Sequence, residues 1–310
     1  MLMRQILDVY DLLDRGDASG AIMEEYMRSL GAEDVNVTTI EGPKGKTDMI
    51  RITIPGTKGK ISGGDAPTLG VLGRLGGLGA IPEQIGFVSD GDGALVSLAV
   101  AAKLLDMKKK GDDLEGDVVV CTHICPDAPT SPHKPVPFMG SPVDMATVNK
   151  HEVNGSLDAI LSVDTTKGNR IINTRGFAIS PTVKEGYILR VSEDLLDIMQ
   201  TTTGKLPYVF ALTTQDITPY GNDLFHINSI LQPATATDAP VVGVAITTEM
   251  PVAGCATGAT HPTDLEEAAR FVLEVAKSYG RGNCNFYDKE EFDKIIAKYG
   301  TMNHIQTLGK

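Results

Sequence analysis

Unbroken apolar runs alternate along this chain with helical patterns, and the alternation predicts an α/β fold. Residues 117–122, 158–164 and 240–246 are runs of the kind found in strands that are buried on both faces of a sheet. Residues 95–107 are apolar on nearly every face of a helix, so we expect that helix to be buried. Strands that alternate with helices in this way favour a largely parallel sheet.

Weaker patterns predict the remaining elements. Residues 3–31 have a helical pattern that breaks near residues 16–20. We also expect a hairpin or edge strands at residues 35–41 and 48–55, strands at 60–62, 177–182, 186–191 and 208–213, and helices at 192–201, 223–230 and 263–279. In the last helix, Thr263 and Glu266 have the spacing of a capping box. The eight glycines between residues 63 and 86 oppose a helix and indicate close packing of the backbone or approach to a ligand.

The composition limits the classes of protein and partner. A chain of 310 residues with 42% hydrophobic residues can build a substantial core, and we expect one α/β domain over residues 1–310 without a separate lid domain. The net charge of −12 argues against binding to nucleic acids or anionic membranes, which needs a basic surface. No apolar run reaches the roughly 18–20 residues that cross a bilayer. The N-terminus does not have the pattern of a signal peptide, so we expect a reduced, cytoplasmic protein.

Asp90 and Asp92 lie in a glycine-containing turn that opens the helix predicted to be buried. Aspartate and glycine are common in turns, so one interpretation is a simple capping pair. The other interpretation is a binding site, because two carboxylates against an apolar helix destabilise the fold unless they are paired or bind a cation. Ligand sites of open α/β sheets lie beyond the carboxyl ends of strands, which is consistent with the second interpretation, and both stay open.

His123, Cys125 and Asp127 follow the strand predicted at residues 117–122. If the chain stays extended, alternate residues point to the same side of the strand. Imidazole, thiolate and carboxylate groups are all ligands of zinc, so these three side chains are candidate metal ligands. The alternative is a surface loop with a partly buried cysteine, and Pro126 disfavours a regular strand there.

Polar residues also follow the strand predicted at residues 158–164. Asp164 ends this strand, a position that is typical of a ligand and also of an Asx-turn. Lys167, Asn169 and Arg170 come next. They are either solvent-exposed or placed to hold a carboxylate of a substrate.

Two later loops contribute further candidates. Residues 214–228 contain His226 and Asn228, and the polar stretch is consistent with a site loop, although a single histidine is more often structural. His261 follows a glycine-rich loop directly before the last predicted helix, which is a position typical of a terminal metal ligand. Cys255 in that loop is a candidate nucleophile, but no histidine or aspartate partner is evident.

The order and spacing of these segments resemble the co-catalytic metallo-aminopeptidases of the MH clan, in particular the tetrahedral, deblocking type. The likeness covers about residues 17–280. Its segments are DASGAIMEEYMRSLGA, ISGGDAPTLG, SDGDGALVSLAVAAKLL, VVVCTHICPDA, DAILSVDTTKG and GATHPTDLEEAARFVLEVAK. The whole chain is also identified as a member of domain-of-unknown-function family 1177.

The resemblance implies a zinc-exopeptidase-like fold with three α/β/α layers and a mostly parallel central sheet. It also implies metal ligands, residue by residue. Asp90 would bridge two metal ions, Asp164 would bind one of them and His261 would bind the other.

Two positions depart from the pattern of the resembled enzymes. Gly63 stands in place of their first histidine, and Asp65 keeps only the acid of that motif. Cys125 and Pro126 stand in place of a pair of glutamates that supplies a general base and a ligand. Asp127 or His123 would have to act as the base, and His123 is a further candidate metal ligand.

The leading hypothesis is a metal-dependent hydrolase, a metallo-aminopeptidase or amidohydrolase, that cleaves a peptide-like or amide bond in a small molecule or short peptide. One or two divalent ions, zinc or another metal, would polarise the carbonyl group and lower the pKa of bound water. Lys167, Arg170 and Asn228 would bind the substrate. We expect a homo-oligomer with no nucleic-acid or membrane partner.

Two alternatives come from other classes of protein. One is a non-catalytic small-molecule or metal-binding protein on a degenerate aminopeptidase fold, because the first histidine and the glutamate pair are missing. The other is a lyase or isomerase on the same scaffold that uses Cys125 or Cys255. Fold and function are separable in this way, since one scaffold hosts many chemistries.

Overall fold

The computed structural model describes residues 1–80, 86–132, 138–212, 229–252 and 259–307. The strands among them are β1 (Asp34–Gly42), β2 (Gly45–Ile54), β3 (Leu69–Gly73), β4 (Val118–Ile124), β5 (Thr130–Ser131), β6 (Phe138–Met139), β7 (Ala159–Thr165), β8 (Gly176–Ile179), β9 (Val183–Lys184), β10 (Tyr187–Ile188) and β11 (Val241–Thr247). The helices are α1 (Met3–Leu13), α2 (Gly20–Ser29), α3 (Asp92–Lys109), α4 (Met145–Glu152), α5 (Glu193–Thr203), α6 (Pro262–Gly280) and α7 (Lys289–Tyr299).

Nine of these strands form one mixed sheet, in the order β1-β2-β4-β3-β7-β11-β9-β10, with β8 also paired to β11. The central strands β4, β3, β7 and β11 are parallel to one another. The β1–β2 hairpin joins β4 in the antiparallel direction, and β8 and β9 pair with β11 in the antiparallel direction. The predicted α/β fold with a mostly parallel central sheet is therefore confirmed, and its antiparallel strands lie on both sides of the parallel centre.

The two faces of this sheet are covered by different elements. Leu161 and Val163 of β7 point into a core that includes α3 and α6, and we call this side the α3 face. Ile160 points into a second core with the short 3₁₀ segment Ser229–Thr235, on the side that α4 flanks, and we call this side the α4 face. Because side chains alternate along a strand, Asp164 at the end of β7 belongs to the α4 face.

Helix α3 is buried on all its sides, as its sequence predicts. Of its 18 residues, 14 are buried, and it packs against α1, α6 and β3. The contact with β3 depends on glycine: a Cβ atom at Gly73 would lie 2.4 Å from Ser97 Oγ and 2.9 Å from Ala94 Cα. This close approach explains part of the glycine-rich stretch, and it places the N-terminus of α3 at the carboxyl end of β3.

Two predicted strands are absent from the described residues. Lys60–Ser62 is a 3₁₀ turn, not a strand. Within residues 208–212, Val209 forms only an isolated bridge to Ile179. Both segments are short, and their apolar residues give the sequence pattern of a strand without a series of hydrogen bonds to a neighbouring strand. Most of the helix predicted at residues 223–230 lies outside the described residues, and only its last two positions fall in the 3₁₀ segment Ser229–Thr235.

The predicted capping box of the last long helix is wrong. Helix α6 begins at Pro262, and His261 is its N-cap without a side-chain cap bond. Proline suits the first helical position because its missing N–H has no partner there in any case. Glu266 is therefore available for other contacts, and its Oε1 accepts a hydrogen bond of 3.0 Å from the backbone N–H of Leu2. None of the helices that the structure describes has the length and apolarity needed to span a bilayer.

Candidate functional site

Three predicted ligands lie at one edge of the sheet. Parallel strands bring their carboxyl ends together, and this edge is where open α/β sheets bind ligands. Asp90 lies in the 3₁₀ turn between β3 and α3, Asp164 lies near the end of β7, and His261 lies between β11 and α6. The hydroxyl group of Thr165 donates a hydrogen bond of 2.7 Å to the carbonyl of Ser89, which ties the end of β7 to the turn that carries Asp90.

Backbone N–H groups hold the carboxylates of Asp90 and Asp164. Asp90 is partly exposed, and its Oδ2 accepts hydrogen bonds from the backbone N–H groups of Gly76 at 2.7 Å and Gly77 at 3.3 Å. Asp164 is buried, and its Oδ1 accepts a bond of 2.7 Å from the N–H of Thr165. The glycines of this loop thus fix the orientation of Asp90.

Asp92 is bound by a cation of the protein itself. Its Oδ2 lies 3.0 Å from the ammonium group of Lys167, and its Oδ1 accepts a hydrogen bond of 2.7 Å from the hydroxyl of Thr260. Burial raises the pKa of Asp92, while Lys167 and Thr260 oppose that rise. The sequence predicts that an acid against this helix needs a pairing partner or a bound cation, and the partner is Lys167.

Lys167 has a different environment from the one expected of a substrate-binding residue. Its side chain is 2% exposed, and its ammonium group also donates to the carbonyl of Ala259 at 3.3 Å. Asp92 and the carbonyl of Ala259 thus occupy the ammonium group inside the protein. We therefore assign Lys167 to the support of Asp92 and of the loop before α6.

The described side chains do not by themselves form the predicted metal site. His261 is half-exposed, and its Nδ1 lies 3.9 Å from Oδ2 of Asp264. Across the part of the chain that the structure describes, no three histidine, cysteine, aspartate or glutamate side chains are grouped so that they could hold one metal ion. Asp90, Asp164 and His261 therefore share an edge of the sheet without forming a three-ligand group.

His123 is fixed by hydrogen bonds on both ring nitrogens. Its Nε2 lies 3.0 Å from the carbonyl oxygen of Leu75, so Nε2 carries the proton and donates it. Its Nδ1 lies 2.8 Å from the hydroxyl of Thr47, which acts as the donor. The side chain is buried, and burial lowers its pKa to about 4. In this arrangement His123 is neutral at pH 7 and offers no lone pair to a metal or a substrate.

Cys125 and Asp127 separate from His123 at the end of β4. Asp127 is exposed in a turn, and its Oδ1 lies 3.6 Å from Cys125 Sγ. Burial raises the pKa of Cys125 to about 12, so this thiol is protonated at neutral pH. The three side chains therefore do not point together, because the regular strand ends at Ile124, before Pro126.

We expect the protein to lose stability in acid because of His123. A buried neutral histidine with a folded-state pKa near 4 takes up fewer protons than the unfolded chain, so its stabilising effect is complete above pH 6.5 and is lost as the pH falls toward 4. The loss should be on the order of 3 kcal/mol. Urea denaturation at pH 7, 5.5 and 4 should show a smaller loss in His123→Gln than in the wild type, with exposed His304→Gln as the control. Equal losses in all three proteins would contradict this assignment.

Arg74 is a buried cation at the same edge that the sequence analysis missed. It follows β3, and its backbone N–H donates to the carbonyl of Val163 at 2.7 Å. Its side chain is 4% exposed; Nε lies 3.1 Å from Oε2 of Glu152, and a second nitrogen bonds Asn149 of α4. Burial raises the pKa of Glu152 to about 7, and the charge of Arg74 opposes that rise. The only sequence signal is an arginine directly after a short apolar run.

Arg74 also corrects the comparison made for the first ligand position. The strand before the acid-bearing turn is β3, which begins at Leu69. Gly63 and Asp65 precede this strand and lie toward its amino end, away from the edge that carries Asp90. The resemblance expects a metal-binding histidine at the carboxyl end of the strand before the acid-bearing turn. In this chain Arg74 directly follows that strand.

The loop that follows Lys167 lines a cavity of about 610 Å³. Arg170, one of the predicted substrate-binding residues, lines it together with Asn169, Tyr208, Phe210 and Glu249. Asn169 shapes the loop, because its Oδ1 accepts hydrogen bonds from the backbone N–H groups two and three residues on. Asn228, His226 and Cys255 lie outside the described residues.

Comparison with known proteins gives a family and a fold. A family model described as a protein of unknown function, DUF1177, matches residues 38–309. Curated protein sequences give no match. Glutaminyl cyclase from Macrostomum lignano has a similar structure, with a TM-score of 0.55, 12% identity, and 91% of this chain and 90% of that chain covered.

LapA of Legionella pneumophila, an aminopeptidase, is also similar in structure. One LapA structure gives a TM-score of 0.50 with 10% identity over 91% of this chain and 72% of that chain. A second gives 0.48 with 9% identity over 93% and 71%. The predicted likeness to aminopeptidases is confirmed at the level of the fold, which is all that identities this low support.

Proposed function

This chain belongs to the DUF1177 family, and from its strand-end site we propose that it hydrolyses a peptide-like or amide bond in a small substrate. The observation that carries the proposal is the hydrogen bond from Thr165 to Ser89, which joins the segments bearing Asp164 and Asp90 at one edge of the sheet. The cavity lined by Arg170 lies on the loop that continues from this edge. An aminopeptidase-like fold supports the same class of reaction.

The residues of the site can divide the work of hydrolysis. A carboxylate within hydrogen-bond reach of a water molecule can orient it and accept its proton as it attacks a carbonyl group. Asp90, held by two backbone N–H groups and partly exposed, is placed for this role. Arg170 can bind a carboxylate of the substrate through paired hydrogen bonds. Asn228 remains a proposed substrate-binding residue.

A divalent metal such as zinc does not fit the described side chains as a three-ligand site. We therefore derive no step through a metal. Asp90, Asp164 and His261 stay the proposed ligands, and His123 is withdrawn because both its ring nitrogens are hydrogen-bonded. Metal content measured on the purified protein, before and after incubation with zinc, tests the ligand set independently of turnover.

The second candidate function is a non-catalytic protein that binds a small molecule on this fold. The charges near the strand ends favour it: Asp92 is paired with Lys167, and Arg74 is paired with Glu152. Charges that are already paired inside the protein need no metal for compensation.

We also propose a single domain over residues 1–310, a cytoplasmic location and a homo-oligomeric state. Light scattering on the purified protein tests the oligomeric state.

We expect Asp90→Asn to lower kcat/KM for amide hydrolysis by about 100-fold or more, because a carboxylate that accepts the proton of the attacking water contributes at least that much. The assay uses amino-acid amides and short peptides, with and without added zinc. Asp65→Asn is the matched control, since Asp65 is exposed at the other end of β3 and should leave the rate unchanged. Stabilisation by these compounds without turnover would favour the binding function, and the absence of both effects would refute both candidates.

A further inference from the structure

A second cavity, of about 950 Å³, opens at the opposite edge of the sheet. Asp158 before β7 and Pro240 before β11 line it, so it lies at the amino ends of the parallel strands. The remaining walls come from the segments that lead into these two strands, from β9, from the end of α6, from the segment before α7 with the first residue of that helix, and from the region of the C-terminal 3₁₀ turn Asn303–Ile305. This volume is at the upper end of the range for small-molecule sites. Nothing in the strand-end site uses this cavity.

Two polar groups of this cavity have no hydrogen-bond partner among the described residues. Oδ1 of Asn303 is buried and accepts no hydrogen bond from the described residues. The Tyr279 hydroxyl likewise has no hydrogen bond within that part of the chain, and burial raises its pKa above the ordinary value of a tyrosine. Gln306 uses its Nε2 to bond the carbonyls of Thr237 and Ala234. A buried acceptor without a donor costs free energy, and a bound molecule or water recovers it.

The charged groups of the cavity are balanced, and their ion pairs are with the protein. Lys184 bonds Glu185 and the carbonyl of Asp238, and its ammonium lies over the rings of Tyr287 and Phe292. The other lining lysine, at position 289, pairs with an aspartate on its own helix. The carboxylate at position 158 pairs with a lysine outside the cavity. Asp238 is the fourth charged residue of the lining, so two lysines and two aspartates line the cavity and their formal charges cancel.

We propose that this cavity binds an uncharged polyhydroxylated ligand of the class of short oligosaccharides. Carboxamides and tyrosine hydroxyls both donate and accept hydrogen bonds, and so do the hydroxyls of a sugar. Asn154, Asn303 and Gln306 supply the carboxamides, and Tyr279 and Tyr287 supply hydroxyls together with apolar rings. The rings are held by edge contacts, with centroids 5.1 Å apart for Tyr279 and Phe286. Fixed rings offer a flat surface for the C–H face of a sugar at low entropic cost.

Ligand-observed NMR titrations with the full-length protein test the proposal. The probes are maltose, cellobiose and sucrose as uncharged sugars, glucose 6-phosphate as an anion and adenosine as an uncharged heterocycle. We expect saturable binding of at least one disaccharide. No saturable binding of any disaccharide at tens of millimolar would overturn the proposal. Tighter binding of glucose 6-phosphate or of adenosine would also overturn it, because the site would then select charge or a planar base.

Variants locate the binding in this cavity. Tyr279→Phe removes only a hydroxyl, and we expect it to weaken disaccharide binding by about threefold to tenfold, the effect of one hydrogen bond. Asn303→Leu should weaken binding further while leaving the free protein folded, since it removes a buried polar atom without a partner. Tyr299→Phe, on an exposed tyrosine outside the cavity, is the matched control and should bind as the wild type does. Equal affinities in all three variants would place the binding elsewhere and refute the assignment.

Discussion

Replacing Lys167 by methionine is expected to lower the free energy of unfolding by about 3–5 kcal/mol, because the change leaves Asp92 buried without its cation. The two side chains are 2% and 0% exposed, and their charged atoms are 3.0 Å apart. The hydroxyl of Thr260 remains as one hydrogen-bond donor to the carboxyl group. Burial already raises the pKa of Asp92, so we expect this carboxyl group to take up a proton in the variant. Urea denaturation at pH 7 measures the loss.

Two further variants separate loss of the ion pair from loss of packing. The double variant Lys167→Met with Asp92→Asn removes both charges, and we expect it to recover most of the lost stability. Lys205→Met removes an exposed lysine that pairs with Glu267, and it should cost less than about 1 kcal/mol. A Lys167→Met protein as stable as the Lys205→Met protein would show that Asp92 does not depend on this pair.

Arg74→Met should have a comparable effect, about 3–5 kcal/mol at pH 8, because the buried carboxyl group of Glu152 loses the cation that offsets its burial. Arg74 and Glu152 are 4% and 1% exposed, and Arg74 also bonds Asn149 on the same helix. The loss should be smaller at pH 5, because burial favours the protonated form of Glu152. Denaturation curves of the variant at the two pH values test this difference. Equal losses at both would contradict the coupling to Glu152.

Glu152 itself should make stability fall as the pH rises. Its folded-state pKa of about 7 lies above its ordinary value of 4.5, so the folded protein holds a proton that the unfolded chain has released. The stabilising contribution of Glu152 is therefore complete below pH 4.5 and is lost as the pH rises through 7, by on the order of 3 kcal/mol. Glu152→Gln should remove this part of the pH dependence, and Glu290→Gln, at an exposed position, should not. His123 acts in the opposite direction, so only the difference between variants isolates either group.

The fold was largely predictable because its central strands are marked by unbroken apolar runs. β4, β7 and β11 each lie within one residue or two of such a run, and α3 is apolar on all sides. β3 was missed although it is a central strand, because its sequence LGVLG has two glycines in a glycine-rich stretch. Glycine normally weakens a strand, but here Gly73 allows α3 to approach. The requirement comes from packing against a distant helix, which a local pattern does not contain.

The acidic residues of the candidate site could be predicted from the sequence, but the cations that pair with buried acids could not. Asp90 and Asp164 were found because each stands at a break after an apolar run or before a buried helix. The partner of Asp92, Lys167, is 75 residues away, and the partner of Arg74, Glu152, is 78 residues away. Their pairing depends on the parallel order of β3 and β7 and on the position of α4. Sequence spacing alone therefore does not reveal either ion pair.

The burial of helix α3 should make the backbone beside the strand-end site slow to exchange with solvent. With 14 of its 18 residues buried, its backbone amides can meet solvent only when most of the molecule opens. Native-state hydrogen exchange should therefore find α3 among the slowest segments, near the limit set by global unfolding. Because Asp92 is the first residue of this helix, its carboxyl group is anchored to the part of the chain that we expect to open last.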